Sequence, residues 1–334
     1  MPSWSSMVPM DRMEIVKPRW GFAWQKLCAI LLLLAAGNVP ISSAAERPSP
    51  LRIAGYLPDY RLEQVDSAQW DGLTDLILFS AQPTAAGELD LGTLKAAPWS
   101  KLLTWKTAHR KRLILAVGGW DRSGGFAPMA KDDLLRGKFV AAAVELCLQR
   151  RLDGMDLDWE HPQDAAEQTS YSRLIQDLKR AFEPHGLTLS VTMAGWQKLP
   201  PDALEAADWI QIMAYDHDGR HSTVVGATRD LELVLAQKAA AGKVILGLPF
   251  YGRKIADRNQ AITYGEVRKK YHPAPHIDEV EGWYFNGPTT IRQKIALVRE
   301  RKLAGVMIWE LGQDAAGQES LLKVIADEAA AARR

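Results

Sequence analysis

The sequence has little of what would place it in several common classes of protein. Only two of its 334 residues are cysteine, which excludes a small scaffold built on disulfides. Neither sign of charge is in excess, with 41 lysines and arginines against 40 aspartates and glutamates, and this balance argues against a broad electrostatic surface for nucleic acid or anionic membranes. There is no low-complexity tract and no linker rich in glycine and serine. What remains is ordinary globular composition, 47% hydrophobic and 24% charged.

The longest apolar run is too short to cross a membrane and lies in the first 45 residues. Three basic residues, Lys17, Arg19 and Lys26, precede the apolar residues 27–36, and small residues follow. This order is typical of a secretory signal peptide, and ten apolar residues fall short of the ~20 that span a bilayer. We therefore predict a signal peptide at 1–45, with an uncleaved N-terminal anchor as the alternative. The protein is then expected to be secreted or periplasmic, with no membrane contact after the leader is cleaved.

After the leader, the sequence repeats one pattern of a short apolar run followed by a segment of helical period. The eight candidate strands begin near residues 51, 73, 112, 154, 187, 208, 243 and 303. Near-continuous apolar strands that alternate with helices indicate a parallel sheet covered on both faces. Eight such units fit a (β/α)8 barrel, which typically has ~250 residues.

A doubly wound open sheet is the structural alternative to the barrel. Such a sheet that binds a dinucleotide carries a glycine-rich loop after its first strand, and residues 61–66 at that place contain no glycine. We therefore predict the α/β class and a (β/α)8 TIM barrel, as a single domain over 46–334. A short loop excursion is expected between the seventh and eighth strands, at about 255–288.

The fourth candidate strand carries three carboxylates on one face. Residues 153–160 read DGMDLDWE, and because side chains alternate along a strand, Asp156, Asp158 and Glu160 point the same way. In a barrel this is the interior face, with Glu160 last, at the rim. Carboxylates ~6.5–7 Å apart in a low dielectric cannot all ionise, so one keeps a proton near neutrality, as a general acid must. A Mg²⁺ or Ca²⁺ site is the alternative, but only Asp216 is a further acid at another strand end, so we predict no metal.

The string DGMDLDWE resembles the signature of family 18 glycoside hydrolases, the chitinase family, which is written D-G-x-D-x-D-x-E. Further segments extend the resemblance over most of the chain after the leader: AVGGW at 116–120, MAYD at 213–216, PFYGR at 249–253 and Trp309 in the last strand. One position departs from the family pattern, because Ala116 stands where serine is usual. The missing hydroxyl removes a possible hydrogen bond close to the carboxylates.

The resemblance implies hydrolysis of β-1,4-linked N-acetylglucosamine polymers, chitin or chito-oligosaccharides, with retention. It also implies substrate-assisted catalysis without a cofactor, in which Glu160 protonates the glycosidic oxygen and the substrate's acetamido group attacks the anomeric carbon. Asp158 is then expected to hold the acetamido N–H, Asp156 to tune the sharing of protons, and Tyr215 to orient the acetamido carbonyl. The side chains expected to bind the sugar are Trp309, Trp120, Met213, Asp216, Tyr56 and Arg253.

Two other functions remain open at this point. The same acetamido-recognition residues would serve a hydrolase of peptidoglycan or of another glycan that contains N-acetylglucosamine. A non-catalytic chitin-binding barrel is the second alternative, although such family members have typically lost the acid and Glu160 is present. In each case the expected partner is a polysaccharide or oligosaccharide that contains N-acetylglucosamine, and the protein is expected to be a monomer.

Overall fold

Parallel strands close into a barrel in the computed structural model, which describes residues 51–63 and 70–331. The strands are β1 (Arg52–Pro58), β2 (Asp75–Pro83), β3 (Leu89–Asp90), β4 (Arg112–Gly118), β5 (Gly154–Asp158), β6 (Thr188–Ala194), β7 (Trp209–Met213), β8 (Val244–Pro249), β9 (Tyr251–Lys254), β10 (Asp257–Thr263), β11 (Glu279–Val280), β12 (Trp283–Tyr284) and β13 (Gly305–Trp309). The helices are α1 (Trp99–His109), α2 (Phe126–Lys131), α3 (Asp133–Arg150), α4 (Ala165–Phe182), α5 (Pro201–Ala206), α6 (Val224–Leu235), α7 (Tyr264–Tyr271), α8 (Pro288–Glu300) and α9 (Leu321–Ala331).

The barrel contains all eight predicted strands. Around it the order is β1, β13, β8, β7, β6, β5, β4 and β2, and β2 pairs with β1 to close the ring. Each barrel pair is parallel, and helices connect most successive strands. The prediction of a (β/α)8 TIM barrel is therefore confirmed.

The predicted signal peptide at 1–45 lies outside the described residues. Within the described part of the chain, no helix combines the length and the hydropathy that crossing a bilayer requires.

The alternation predicted for β5 is present in the packing. Met155 and Leu157, together with Trp159 just beyond the strand, are buried in the large apolar core between the barrel and its helices, and the Trp159 ring stacks on Phe126 with ring centroids 5.2 Å apart. A second, smaller apolar cluster fills the inside of the barrel. The carboxylates of β5 belong to that inner face, as the period of two requires.

The excursion before the last barrel strand is present but is not a loop. Strands β10, β9, β12 and β11 form an antiparallel sheet in that order, and α7 follows β10. The sequence carries a helix start that the prediction missed, because Thr263 and Glu266 form a capping box: the Thr263 hydroxyl accepts from the Glu266 N–H at 3.0 Å, and the Glu266 carboxylate accepts from the Thr263 N–H at 3.0 Å. The excursion is thus an ordered wall beside the carboxyl end of the barrel.

We predict that this capping box contributes measurably to stability. Replacing Thr263 by Ala removes the oxygen that caps α7 and should lower the free energy of unfolding by about 1 kcal/mol. The matched variant Thr263→Ser keeps the hydroxyl and should stay within about 0.5 kcal/mol of the wild type. Urea unfolding followed by circular dichroism measures both, and equal losses in the two variants would contradict a capping role.

Candidate active site

A cavity of about 490 Å³ opens at the carboxyl ends of the barrel strands, and we call it the main cavity. Its lining comes from several barrel strands and from the β9–β10 hairpin: Tyr56, Tyr60, Phe79, Trp120, Arg122, Asp158, Glu160, Thr192, Met213, Tyr215, Asp216, Arg253, Arg258, Asn259 and Trp309. Nine of the ten site residues predicted from the sequence are among them. The tenth, Asp156, lies below the cavity, fully buried.

Asp156 is the deepest of the three acids and is surrounded by hydrogen-bond donors. Its carboxylate accepts from Ser190 at 2.6 Å, Gln211 at 2.8 Å and Tyr56 at 2.6 Å, and from Thr192 at 3.0 and 3.1 Å. Burial raises the pKa of Asp156, and these hydrogen bonds oppose the shift. Four donors from three other strands thus stabilise a charge that would otherwise be costly inside the barrel.

Asp158 lies closer to the mouth of the barrel than Asp156, and it lacks the donors that surround Asp156 among the described residues. Its Oδ1 is buried and accepts no hydrogen bond from any residue that the structure describes. Burial, followed by the charges of Glu160 and Asp156, raises the pKa of Asp158 well above its usual range. This arrangement favours the protonated form of Asp158, which lines the main cavity with a polar group available to a ligand.

Glu160 follows the end of β5 at the rim of the cavity. Burial raises the pKa of Glu160 to about 7, the Asp216 carboxylate adds to the shift, and the backbone N–H of Trp120 opposes it. The Glu160 N–H donates to the Ser123 hydroxyl at 3.0 Å, which fixes the backbone. Because this carboxyl keeps its proton up to neutral pH, it can act as a general acid and, once deprotonated, as a base.

Tyr215 and Asp216 follow β7, which is separated from β5 by one strand of the barrel. The Tyr215 hydroxyl donates to the sulfur of Met307 at 3.8 Å, a weak acceptor. Asp216 accepts from Tyr251 at 2.7 Å and from two nitrogens of Arg253, each at 2.8 Å. Burial favours protonation of Asp216, but the neighbouring His221 ring, Arg253 and Tyr251 outweigh it and hold the pKa of Asp216 below its usual range.

Aromatic rings form the floor and one edge of the main cavity. Trp309 packs edge-to-face on Phe79, with ring centroids 4.8 Å apart, and lies 5.5 Å from the Tyr56 ring. These contacts hold the indole in place while part of it remains exposed. Trp120 is 71% exposed at the edge. A flat, fixed ring below and a second ring beside the acids suit a pyranose, whose C–H face packs on indole.

The structure assigns Tyr56 a position that the sequence did not predict. It is 1% exposed, and its hydroxyl donates to Asp156 instead of projecting into the cavity. Its role as a sugar contact stays a prediction.

Three polar residues that hold Asp156 were missed by the sequence analysis: Ser190, Thr192 and Gln211. The sequence does contain a pattern that indicates them. Ser190 and Thr192 are two residues apart on β6 and therefore share a face, and Gln211 is a polar residue within the apolar β7. Asp156 lies between Ala116 of β4 and Ser190 of β6 in the barrel sheet, so Ser190 offers a hydroxyl from the strand on the other side of Asp156. The hydroxyl absent from Ala116 has a counterpart across the strand, since Ser190 donates to Asp156 at 2.6 Å.

Two glycines, the last residue of β4 and the residue that follows it, bring the backbone close to β5. The Gly119 N–H donates to the Asp158 carbonyl at 2.6 Å. Gly118 has φ +97°, and a Cβ there would lie 2.3 Å from the same carbonyl oxygen. Glycine is required at this point because any side chain would displace the backbone that carries Asp158.

Among the described residues, no group of three or more His, Cys, Asp or Glu side chains is arranged to hold a metal ion.

Comparison with known proteins connects this geometry to one family. Residues 52–314 match the family model described as Glycosyl hydrolases family 18. Probable chitinase 2 of Drosophila melanogaster is 29% identical over 285 residues, covering 65% of this chain but only 59% of its own length. A GH18 chitinase from the chitin utilization locus of Flavobacterium johnsoniae has a TM-score of 0.75 at 25% identity, covering 84% of this chain and 94% of its own. A chitinase from Bacteroides thetaiotaomicron shares the fold, with a TM-score of 0.78 at 23% identity over 84% of this chain and 96% of its own.

We predict that Gly118→Ala damages both the fold and the site. The positive φ and the contact with the Asp158 carbonyl should together lower the free energy of unfolding by about 2 kcal/mol or more. Gly124 lies in the same connection with open space around its Cβ position, so Gly124→Ala should change stability by less than about 1 kcal/mol. Urea unfolding compares the two. A tolerated Gly118→Ala would contradict the close approach of β4 and β5.

Proposed function

Because the chain belongs to family 18 of the glycosyl hydrolases, we propose that it hydrolyses β-1,4-linked N-acetylglucosamine polymers, chitin or chito-oligosaccharides. The observation that carries this proposal is Glu160, a carboxyl at the rim of the main cavity whose pKa burial raises to about 7. Below it lie two further acids, and the floor is an indole ring. The named relatives are chitinases, which favours chitin over other glycans that contain N-acetylglucosamine.

In the proposed first step Glu160 gives its proton to the glycosidic oxygen. The acetamido carbonyl oxygen of the sugar bound over Trp309 attacks the anomeric carbon, the glycosidic bond breaks, and its electron pair leaves with the protonated oxygen. An oxazolinium ion results, so no protein nucleophile is needed. In the second step water attacks the anomeric carbon from the face that the leaving group vacated and gives a proton to the Glu160 carboxylate. The bond between the anomeric carbon and the acetamido oxygen breaks, its electron pair returns to that oxygen and restores the acetamido group, and the product retains its configuration.

The neighbouring side chains are suited to hold the acetamido group during these steps. Asp158 has a buried oxygen without a partner among the described residues, which can accept the acetamido N–H as the ring of the oxazolinium forms. The Tyr215 hydroxyl has a weak acceptor in the sulfur of Met307 and can donate to the acetamido carbonyl. Burial disfavours an anion at Asp158, and the carboxyl groups of Glu160 and Asp156 add to this effect.

The remaining predicted contacts complete the proposed sugar site. Trp309 stacks under the ring at the cleavage point and Trp120 lies beside the leaving group. Arg253 and Asp216 form a fixed ion pair on the wall with Met213 beside it. We also propose that residues 1–45 are an export signal, that 46–334 are the catalytic domain, and that the protein acts as a secreted or periplasmic monomer; the charge and hydropathy order of the first 45 residues supports export.

Loss of the acid should abolish turnover without loss of the fold. We expect wild-type protein to cleave chitohexaose and Glu160→Gln to be slower by about 10²–10⁴-fold. The exposed Glu183→Gln is the matched control and should retain wild-type rates.

The same assay is run on peptidoglycan and a high-mannose glycan. Preferential cleavage of either would reassign the substrate. Sugar binding without turnover in both the wild type and Glu160→Gln would point to a non-catalytic barrel.

The stereochemistry of the product tests substrate assistance. Proton NMR during the first minutes of chitohexaose cleavage should show the β-anomer ahead of mutarotation, because two displacements at the anomeric carbon restore its configuration. A non-enzymatic sample equilibrated to the anomeric mixture is the reference. First-formed α-anomer would exclude the proposed two-step route.

A further inference from the structure

His161 lies directly behind Glu160 and is held by a buried amide. Its Nδ1 is 2.9 Å from Oε1 of Gln197, and its Nε2 is 3.6 Å from Oε2 of Glu160. Trp196 packs on the ring with centroids 4.7 Å apart. The imidazole is therefore fixed in orientation, with one nitrogen on the amide and the other facing the acid.

The partner of Nδ1 determines which tautomer is present. An amide oxygen only accepts hydrogen bonds, so Nδ1 carries the proton and Nε2 of the neutral ring is a bare acceptor. Gln197 is itself held, being 2% exposed, with its backbone carbonyl accepting from the Gln237 side chain at 2.9 Å. Burial lowers the pKa of His161, against the effect of the Gln197 hydrogen bond, so the neutral ring is the form present at neutral pH.

The ring faces Glu160 from a second cavity and not from the main cavity. This second cavity of about 420 Å³, here called the side cavity, lies between the connections that follow β4 and β5. Glu160 lines both cavities, whereas His161 lines the side cavity and not the main one. One face of the carboxyl is thus left to a glycosidic oxygen while the other faces Nε2.

The other charged groups near this pair come from four elements. Asp158 lies below on β5, Asp121 follows β4, Asp216 and Tyr215 follow β7, and Glu167 of α4 lines the side cavity. The cations of the main cavity face carboxylates elsewhere: Arg122 binds Asp59, Arg253 binds Asp216 and Arg258 binds Asp218. On the side-cavity face, His161 Nε2 lies 3.6 Å from the Glu160 carboxyl.

Resting on the proposed function, we propose that His161 is a positioning residue for Glu160: its bare Nε2, 3.6 Å from Oε2, favours the protonated carboxyl over the carboxylate until a glycosidic oxygen takes the proton from Glu160. A neutral acceptor opposite Oε2 stabilises the protonated carboxyl and gives no hydrogen bond to the anion. The proton passes from Glu160 to the leaving oxygen, and His161 stays neutral throughout.

Two substitutions separate this role from a structural one. In His161→Asn the amide nitrogen can take the place of Nδ1 and bind Gln197, while nothing replaces Nε2. In His161→Gln the amide oxygen can reach the place of Nε2 and supply the acceptor to Glu160. The titration of Glu160 is followed by ¹³C NMR in protein labelled at the glutamate carboxyls, with Glu160→Gln identifying the resonance.

We expect a midpoint near pH 7 in the wild type, a midpoint lower by about half to one pH unit in His161→Asn, and a midpoint close to the wild type in His161→Gln. The alkaline limb of kcat/KM should move in parallel, so His161→Asn loses about 3–10-fold at pH 8 and little at pH 5. Ring ¹⁵N shifts of wild-type His161 should report the Nδ1–H tautomer, a measurement that needs no variant to fold.

An unchanged or higher midpoint in His161→Asn, or the Nε2–H tautomer in the wild type, would overturn the proposal. Neither readout depends on turnover. A wild-type protein that cleaves no glycan therefore refutes the proposed function, while the titration and the tautomer still decide the role of His161.

Discussion

Three carboxyl groups of one strand point into an apolar barrel, and the cost of removing them from water governs the arrangement around them. An isolated buried carboxylate is strongly destabilising, and each acid avoids that cost differently. Asp156 gains donors from Tyr56, Ser190, Thr192 and Gln211. For Asp158, burial and the neighbouring acids raise the pKa and favour the protonated form. Glu160, at the rim, is partly exposed and titrates near neutrality. The way in which each acid avoids the cost of burial thus changes with its depth, from hydrogen bonds at Asp156 to partial exposure at Glu160 near the mouth of the barrel.

The backbone around the acids is fixed by the neighbouring strand. The Gly119 N–H donates to the Asp158 carbonyl, and the Ser123 hydroxyl bridges the connection after β4 to the Glu160 backbone. The close approach at Gly118 leaves no room for a side chain. The chemistry at the rim thus depends on a turn forty residues earlier in the chain, because β4 and β5 are adjacent in the barrel.

The sequence predicts those features that depend on neighbouring residues in the chain, and it does not predict those that depend on which residues of different strands lie side by side. The barrel and the inward face of Asp156, Asp158 and Glu160 follow from strand periods, which need only neighbouring residues. The donors around Asp156 depend on the register between β5, β6 and β7, which a single sequence does not specify. The excursion reads as a loop in the sequence because its strands are largely polar or only two residues long. Of these strands, β10 and β12 pair with β9, which follows closely on the barrel strand β8, and β11 pairs with β12.

His161 illustrates why the surroundings of a predicted residue matter as much as the residue. The motif ends at Glu160, and the next residue has no role that its position in the sequence alone could indicate. Its orientation depends on Gln197, which the connection after β6 brings to within 2.9 Å. A carboxyl that must first give a proton and then take one needs a neighbour that does not bind the anion too tightly. A neutral imidazole whose only ring N–H is engaged by an amide meets that requirement, whereas an imidazolium 3.6 Å away would stabilise the anion and weaken the acid.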